Sequence, residues 1–283
     1  WIEGILDTPA VIRQQGLYDE TFIPALAQSL STRLQANITA EDVPVIYSTC
    51  GYEVSVYDDA STWCQMLLPA IVDDNKDIVV ESKAETFVKL EISTDLREFY
   101  STGPGIPFNA GIGCKLATSI LQSIETVLSK PSAANVNTLR GQLKFGHFET
   151  IMFFSGYLGL YNQTGALKAG MTPEQYATRG FRTSIFSQLS ANMALEVYRP
   201  IDNISNEPRG LIRLLVNEIP VVIPGCGNGS IFCEFSEFKS HLIRRGIDKC
   251  DFNACCGVKS CSSNLSSVVF TSNATCPSMV PIE

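Results

Sequence analysis

Ten cysteines in a chain of 283 residues constrain this sequence more than any other feature. Their number is even, and the chain also carries six Asn-x-Ser/Thr acceptors for N-linked glycans, at Asn37, Asn162, Asn203, Asn228, Asn264 and Asn273. Disulfides and N-linked glycans are both made on the secretory route, where the environment is oxidising. We therefore expect a secreted or lumenal glycoprotein that is held together by disulfides.

The charge balance and hydropathy exclude two classes of partner. The chain has 21 Lys and Arg against 29 Asp and Glu, a formal charge of −8, whereas nucleic-acid binding depends on clustered cations. No window reaches the ~18 to 20 apolar residues of a membrane-spanning helix, and the longest candidate, 151–161, is too short. Hydrophobic residues make up 45% of the chain, which is enough for a buried core. The sequence predicts a globular protein with neither nucleic-acid partner nor transmembrane segment.

Apolar spacing predicts two amphipathic helices in the first half of the chain. In 22–34 an apolar residue recurs every three or four positions, and Pro24 is tolerated in the first turn. The same pattern runs over 117–130, where Pro131 ends it. Between them, 101–113 is rich in Gly and Pro, which favours an irregular loop.

The pattern changes after residue 137. A short strand is predicted over 142–145, Gly146 interrupts it, and helical spacing resumes over 149–160. Such a turn lies at the carboxyl end of a strand, where open α/β sheets bind ligands. Further along, 210–216 and 220–223 have the composition of a strand pair or hairpin. These elements predict an α/β protein.

Three regions follow from these patterns. Residues 1–138 form a mostly helical portion, 139–248 an α/β portion, and 249–283 a disulfide-stapled tail. The tail holds five of the ten cysteines and two of the glycan acceptors, with little amphipathic periodicity. The boundary near residue 248 is the sharpest change in composition.

Only two histidines occur, so imidazole chemistry has few candidates. His241 lies in a helix-like stretch without an acidic or cysteine partner at ligand spacing, which favours a surface or half-buried position. His147 follows Gly146 at the end of the predicted strand, and Glu149 comes two residues later. The sequence leaves open whether His147 is structural or functional.

No cofactor or metal is expected. The cysteine run Cys250-x4-Cys255-Cys256-x4-Cys261 lacks the paired C-x2-C spacing and nearby histidines of zinc sites. The chain has no Gly-rich phosphate loop and no G-x-S-x-G nucleophile turn. Disulfides are the favoured use of the cysteines.

Several segments, in order, carry a family resemblance. They are Cys50–Glu53 with Trp63–Cys64, then Leu96–Tyr100, then Lys144–Thr150 with the helix up to Asn162, and finally Arg209–Glu218 followed by Cys226 and Cys233. Together they resemble the histidine acid phosphatases, and most of all the phytases and the multiple inositol polyphosphate phosphatases. The resemblance covers residues 45–250 and rests on order and spacing.

The resemblance implies a fold and two disulfides. The fold is a mixed sheet flanked by helices, with a smaller helical subdomain. The disulfides are Cys50–Cys64 and Cys226–Cys233. The other six cysteines are Cys114, Cys250, Cys255, Cys256, Cys261 and Cys276, and their 15 pairings stay open. A bridge from Cys114 to the tail is one of them.

The resemblance also implies an activity, the hydrolysis of phosphomonoesters through a phosphohistidine intermediate. By the motif match, His147 contacts the phosphoryl group and Glu149 donates a proton to the leaving alkoxide. The His-x-Glu spelling points to the inositol polyphosphate branch. Phe148 departs from the small residue that the family has between them, and could narrow the pocket.

The nucleophile of the family is absent from this sequence. The family carries it in an Arg-His-Gly-x-Arg motif near the N-terminus, and no Arg-His-Gly occurs here. Only 49 residues precede Cys50, so we expect the fold to be incomplete in this chain and a separate N-terminal chain or segment of the same precursor to supply the nucleophile.

Two alternatives remain open. In one, the protein is a catalytically inactive secreted glycoprotein that keeps the fold for binding or for a structural matrix. The −8 charge and Phe148 favour it, since a polyphosphate site should be basic. In the other, the resemblance extends to the fold alone and the tail is an interaction module.

Overall fold

The computed structural model describes residues 9–68, 71–72, 78–79, 83–129, 140–162, 165–200 and 209–250. The chain forms two compact units, unit 1 with residues 1–101 and 167–184, and unit 2 with residues 102–166 and 185–283. Within the described ranges, no helix has both the length and the apolar composition needed to cross a bilayer.

The elements follow one another as a run of helices, then a small sheet and a last helix. In chain order they are α1 (Pro9–Asp19), α2 (Ile23–Leu34), α3 (Asp42–Tyr57), α4 (Trp63–Leu67), β1 (Ile71–Val72), β2 (Ile78–Val79), α5 (Lys83–Ser101), α6 (Pro107–Ile112), α7 (Cys114–Leu128), α8 (Phe148–Leu158), α9 (Pro173–Ala177), α10 (Thr183–Phe186), β3 (Met193–Tyr198), β4 (Leu211–Val216), β5 (Ile219–Val221), β6 (Phe232–Glu234) and α11 (Phe235–Arg244). Two short 3₁₀ helices, Gly227–Gly229 and Ile247–Lys249, flank β6 and α11.

Helix α2 shows why the predicted amphipathic pattern folds as it does. Ile23, Ala27 and Leu30 are buried on one face, three or four residues apart, and pack into the core of unit 1. Proline lies in the first turn, where no backbone donor is lost. The helix ends at Gln35, whose left-handed backbone (φ 51°) turns its N–H back to the Ser31 carbonyl.

A buried ionic cluster ties α5 to the residues after α9 within unit 1. The Arg179 guanidinium donates from Nε to the Asp95 Oδ2 atom at 2.8 Å, and its Nη2 lies 3.0 Å from the Glu91 Oε2 atom. Asp95 is fully buried and also accepts from the Thr183 N–H at 2.9 Å. Burial acts to raise the pKa of Glu91, but the Ser184 hydroxyl and nearby guanidiniums outweigh it and lower that pKa.

The sheet of unit 2 is antiparallel in all its described pairings. β4 pairs with β3 along its whole length, from Met193 opposite Val216 to Tyr198 opposite Leu211. On its other side β4 pairs with β5 and with β6. β3 therefore forms an edge of the described sheet.

Alternation along β4 places the core of unit 2. Ile212, Leu214 and Val216 are buried, and the residues between them are half-buried. Together with apolar residues of α7, α8 and α11, Ile212 and Leu214 form one continuous core cluster. The helices cover one face of the sheet, which is the α/β arrangement that the sequence predicts.

The predicted hairpin is present, with a turn of two residues. Asn217 (φ 48°) and Glu218 (φ 67°) both have left-handed backbones, as a type I′ turn requires. This turn matches the twist of the flanking strands β4 and β5. The Asn217 side chain also accepts from the Asn192 N–H at 2.9 Å, which holds the start of β3 beside the turn.

The structure differs from the sequence predictions in two places. Residues 142–145 are not in a strand and are exposed, since no described strand pairs with them. The predicted loop over 101–113 contains helix α6, which begins at Pro107. The predicted division into 1–138, 139–248 and 249–283 stays a prediction. The tail beyond Cys250 lies outside the described residues.

Three disulfides join described cysteines: Cys50–Cys64, Cys226–Cys233 and Cys114–Cys250. The first two are the pairs that the family resemblance implies. The third, which the sequence left open, connects the start of α7 to the residue that follows the last 3₁₀ helix.

We expect the Arg179→Met variant to lower the free energy of unfolding by about 3 to 5 kcal/mol, because it leaves the buried Asp95 carboxylate without its cation, whereas Glu91 keeps its pair with Arg182. Urea denaturation measures the loss. As a control, Lys89→Met breaks only the exposed pair with Glu85 and should cost less than about 0.5 kcal/mol. Equal midpoints for the two variants would contradict the importance of the buried cluster.

Candidate active site

Helix α8 positions the two residues that the motif singles out. His147 is the residue before its first turn, with an extended backbone (φ −83°, ψ 171°), and Glu149 lies in that first turn. The His147 carbonyl accepts from the Thr150 N–H at 3.0 Å. A Cβ on Gly146 would come within 2.7 Å of the Thr150 Oγ1 atom, which explains the glycine before His147. His147 itself makes no capping hydrogen bond with its side chain.

A cleft of about 1110 Å³ opens beside this turn, and His147 lies on its wall. Its other walls are one face of α7, the exposed segment 140–146, the first half of α8 and the whole of β3. Most of the side chains of α7 that face it, such as Leu116, Ile120 and Val127, are apolar and only half-buried. The cleft is therefore a largely apolar space along the edge that β3 forms in the described sheet.

Glu149 lies next to the cleft but not on its wall. It is half-buried, and its Oε2 atom is buried without a hydrogen-bond partner among the described residues. Phe148 stands between the two motif residues and is 43% exposed. The structure thus places His147 and Glu149 on the same turn, with only His147 on the cleft surface.

The walls of the cleft carry a positive charge that the sequence analysis did not single out. Arg140 and Lys144 both lie on it, and the Lys144 Nζ atom donates to the Ser119 hydroxyl of α7 at 2.9 Å. The acidic side chain on the wall is Glu196, which is paired with Arg213 at 2.5 Å. Lys144 is the first residue of the Lys144–Thr150 motif, and this position was the feature of the sequence that could have identified it. The site can attract an anion despite the acidic chain.

The described residues offer one group of side chains at metal-ligand spacing, Cys226, Cys233 and Glu237. Because the two cysteines form a disulfide, their thiolates are not available as ligands. The Glu237 carboxylate instead accepts from the Gly227 N–H at 2.9 Å. The disulfide and this hydrogen bond together stabilise the loop between Cys226 and Cys233.

His241 is more buried than the sequence predicts. It lies on the buried face of α11, and its Nε2 atom is 3.0 Å from the Leu158 carbonyl at the end of α8. Burial lowers the pKa of His241, and the nearby Arg245 and Arg244 act in the same direction. The helical periodicity of α11 located this residue, but its burial depends on packing against α8.

The sequence and fold can now be compared with known proteins. The model of the histidine phosphatase superfamily (branch 2) matches residues 6–217. This chain belongs to that family. The family resemblance and the α/β fold predicted from the sequence are therefore confirmed.

The family includes curated relatives with inositol phosphate names. The multiple inositol polyphosphate phosphatase 1 of Dictyostelium discoideum is 25% identical over 87% of this chain and 42% of its own length. Phytase PHO112 of Candida albicans is 25% identical over 86% of this chain and 46% of its own. This chain therefore spans less than half the length of these relatives.

A solved member of the family shares the fold. The multiple inositol polyphosphate phosphatase of Bifidobacterium longum, whose crystal structure is a complex with inositol hexasulfate, matches with a TM-score of 0.64 and 16% sequence identity. The match covers 85% of this chain and 56% of that one.

Gly113 brings α6 and α7 close to the motif helix, and its replacement should loosen that contact. A Cβ there would lie 2.5 Å from the Phe153 carbonyl oxygen of α8. We expect Gly113→Ala to lower the free energy of unfolding by about 1 to 3 kcal/mol. Gly51 in α3 has no atom near its Cβ position, so Gly51→Ala should stabilise by about 0.5 to 1 kcal/mol. Thermal unfolding measures both, and shifts of the same sign would contradict this packing.

The lowered pKa of His241 predicts a pH dependence of stability. A histidine that is neutral in the folded protein makes its full contribution to the free energy of unfolding above its unfolded pKa of about 6.5. This contribution is lost as the pH falls below that value. His241→Gln keeps a donor for the Leu158 carbonyl but does not titrate. We expect wild type to lose stability relative to this variant between pH 7.5 and 5, as measured by urea denaturation. A pH-independent difference would contradict the assignment.

Proposed function

We propose that this chain carries the leaving-group side of the active site of a secreted histidine-type phosphomonoesterase. Its substrates are phosphate esters, including inositol phosphates, the class named in the relatives. The attacking imidazole comes from an N-terminal segment or chain of the same precursor, because the sequence holds no Arg-His-Gly. The coverage of less than half of the relatives' length supports this division.

The observation that carries the proposal is the cleft along β3. The edge of β3 leaves backbone donors and acceptors without partners in the described sheet. The segment beside it exposes large apolar side chains, with Leu143 at 84% and Phe145 at 94% exposure. A β-segment inserted between β3 and residues 142–145 would pair with both and cover these side chains. His147 follows residues 142–145 and lies on the wall of the same cleft.

The chemistry divides between the two parts. The incoming imidazole attacks phosphorus, a P–N bond forms, and the P–O bond to the alcohol breaks. Glu149 transfers its proton to the departing alkoxide oxygen. His147 contacts the phosphoryl oxygens, and Lys144 adds positive charge to the cleft. Water then attacks the phosphohistidine and gives its proton to the Glu149 carboxylate; a P–O bond forms, the P–N bond breaks, and inorganic phosphate leaves.

The secretory location is supported by the three disulfides and by the exposure of the glycan acceptors. Asn37 and Asn228 are exposed, and Asn162 is half-buried. Asn228 lies within the Cys226–Cys233 loop. Its backbone is left-handed, and the residue is exposed to solvent. Asn203, Asn264 and Asn273 lie outside the described residues.

The alternative is a catalytically inactive secreted glycoprotein that keeps the fold for binding or for a structural matrix. The position of Phe148 favours it, because this large side chain stands beside His147 where the family has a small residue. Under this alternative the complete native protein binds inositol phosphates without hydrolysing them, or does neither.

The proton-donor role gives a sharp test on the complete native protein. We expect Glu149→Gln to lower kcat for an alkyl phosphate by about 10² to 10⁴-fold, because the alkoxide then leaves without a proton. The loss for 4-nitrophenyl phosphate should be much smaller, since its leaving group needs no protonation. Glu218→Gln, in the exposed hairpin turn, is the control and should leave both rates unchanged. Equal losses on both substrates would contradict the acid role.

The two-part assembly has its own test. We expect intact-mass measurement of the native protein to find a further N-terminal segment or second chain that contains Arg-His-Gly. Its histidine, replaced by alanine, should abolish formation of the phosphoenzyme. A native protein with no such segment, and no hydrolysis of either substrate, would overturn the catalytic proposal and support the inactive glycoprotein.

A further inference from the structure

The carboxyl end of α8, the end away from the motif, is bound by side chains of the α11 region. The Arg245 guanidinium donates from Nε to the Tyr157 carbonyl at 2.7 Å and from Nη2 to the Gly156 carbonyl at 2.6 Å. The His241 Nε2 atom lies 3.0 Å from the Leu158 carbonyl. Three successive carbonyls of the last turn thus receive donors from one neighbouring segment.

These contacts complete the hydrogen bonding of the helix end. Gly159, in a left-handed conformation (φ 77°), and Leu160 donate their N–H groups back to the Ser155 and Gly156 carbonyls. The carbonyls of Tyr157 and Leu158 have no such backbone donor in this turn, and Arg245 and His241 supply it. The last four carbonyls of α8 therefore all accept a hydrogen bond, although two of them lack a backbone donor.

Arg245 is bound by a helix end instead of a carboxylate. No ion pair links it to an acidic side chain within the described part of the chain, although burial lowers its pKa. The partial negative charge at a helix carboxyl end stabilises a cation there. Gly159 lies beside this guanidinium, and a Cβ there would make ordinary van der Waals contact with the Arg245 Nη1 atom at 3.7 Å.

The other contacts of α8 oppose its movement sideways more than its movement along its own axis. α6 and α7 press on its flank, where Gly113 approaches the Phe153 carbonyl. At the amino end the His147 side chain makes no capping bond, and the Glu149 Oε2 atom has no described partner. The directional bonds that fix α8 along its axis are therefore those at its carboxyl end. Since a helix is stiff, they also fix the first turn about 16 Å away.

We propose that Arg245 is a positioning residue for the active site, because it sets the axial position and rotation of α8 and so places Glu149 against the leaving oxygen. The inference rests on the proposed function and adds a residue to it. It concerns proton transfer more than phosphate binding, since a donor displaced by about 1 Å can cost on the order of 10²-fold in rate.

The test compares Arg245→Met with Arg245→Lys in the complete native protein. Both keep a long side chain, and only the lysine keeps a cation that can donate to the α8 carbonyls. For Arg245→Met we expect kcat for an alkyl phosphate to fall at least about tenfold further than kcat for 4-nitrophenyl phosphate, with KM for both nearly unchanged. Arg245→Lys should recover most of the difference.

Arg244→Met is the matched control. Arg244 is exposed, and its hydrogen bond goes to the Gly225 carbonyl at 3.1 Å, not to a carbonyl of α8. Its replacement should leave the ratio of the two kcat values at the wild-type level. Should Arg245→Met fail to fold, the lysine variant decides, because one ammonium cannot replace all the guanidinium bonds: a residual selective loss of about twofold on the alkyl phosphate supports the proposal, and the wild-type ratio overturns it.

Two results would overturn the positioning role. One is an equal fall of kcat on both substrates, which reports a general loss of folded protein. The other is a folded Arg245→Met variant with the wild-type ratio. Failure of the proposed function is distinct from both, because Glu149→Gln would then leave the ratio of the two rates unchanged in an otherwise wild-type protein.

Discussion

The backbone N–H and C=O groups along the edge of β3 need hydrogen-bond partners, and this requirement constrains the rest of unit 2. Donors and acceptors at a sheet edge need a partner, from water or from another strand, and a long apolar edge favours a strand. The half-buried face of α7 and the exposed side chains of Leu143 and Phe145 border the same space. Backbone pairing and apolar burial thus call for the same occupant, a β-segment. The proposed division of the active site follows from that one requirement.

How much the sequence predicts depends on how local the cause is. Helices α2 and α7 follow from apolar spacing and a nearby proline, and the β4–β5 hairpin from β-rich stretches around Asn217. The strand predicted over 142–145 is not formed in the described structure, because strand formation needs a neighbour and no described strand provides one. The Gly146–His147–Glu149 turn was found from the motif, and the cleft beside it was not, because α7 and β3 are distant from it in sequence.

Charge shows the same limit of sequence reasoning. The net charge of −8 argued against a site for polyanions, yet it is an average over the whole chain. Some of the acidic charge in unit 1 is paired locally, as in the Asp95 and Glu91 cluster with Arg179. On the cleft wall Arg140 and Lys144 outnumber Glu196, which Arg213 already pairs. Field at a site depends on which charges face it and on their partners, and neither can be read from composition.

The disulfide between Cys114 and Cys250 explains how α8 can be held in place independently of what fills the cleft. It closes a separation of 136 residues, and in the chain-entropy model such a loop removes unfolded-state entropy equivalent to about 5 kcal/mol. The bond joins α7, which packs on the flank of α8, to the segment that carries Arg245. The disulfide thus links the helix on the flank of α8 covalently to the segment that binds the carboxyl end of α8. A segment that enters along β3 would meet the turn of His147 and Glu149 already in position, so the cost of ordering that turn does not reduce its binding.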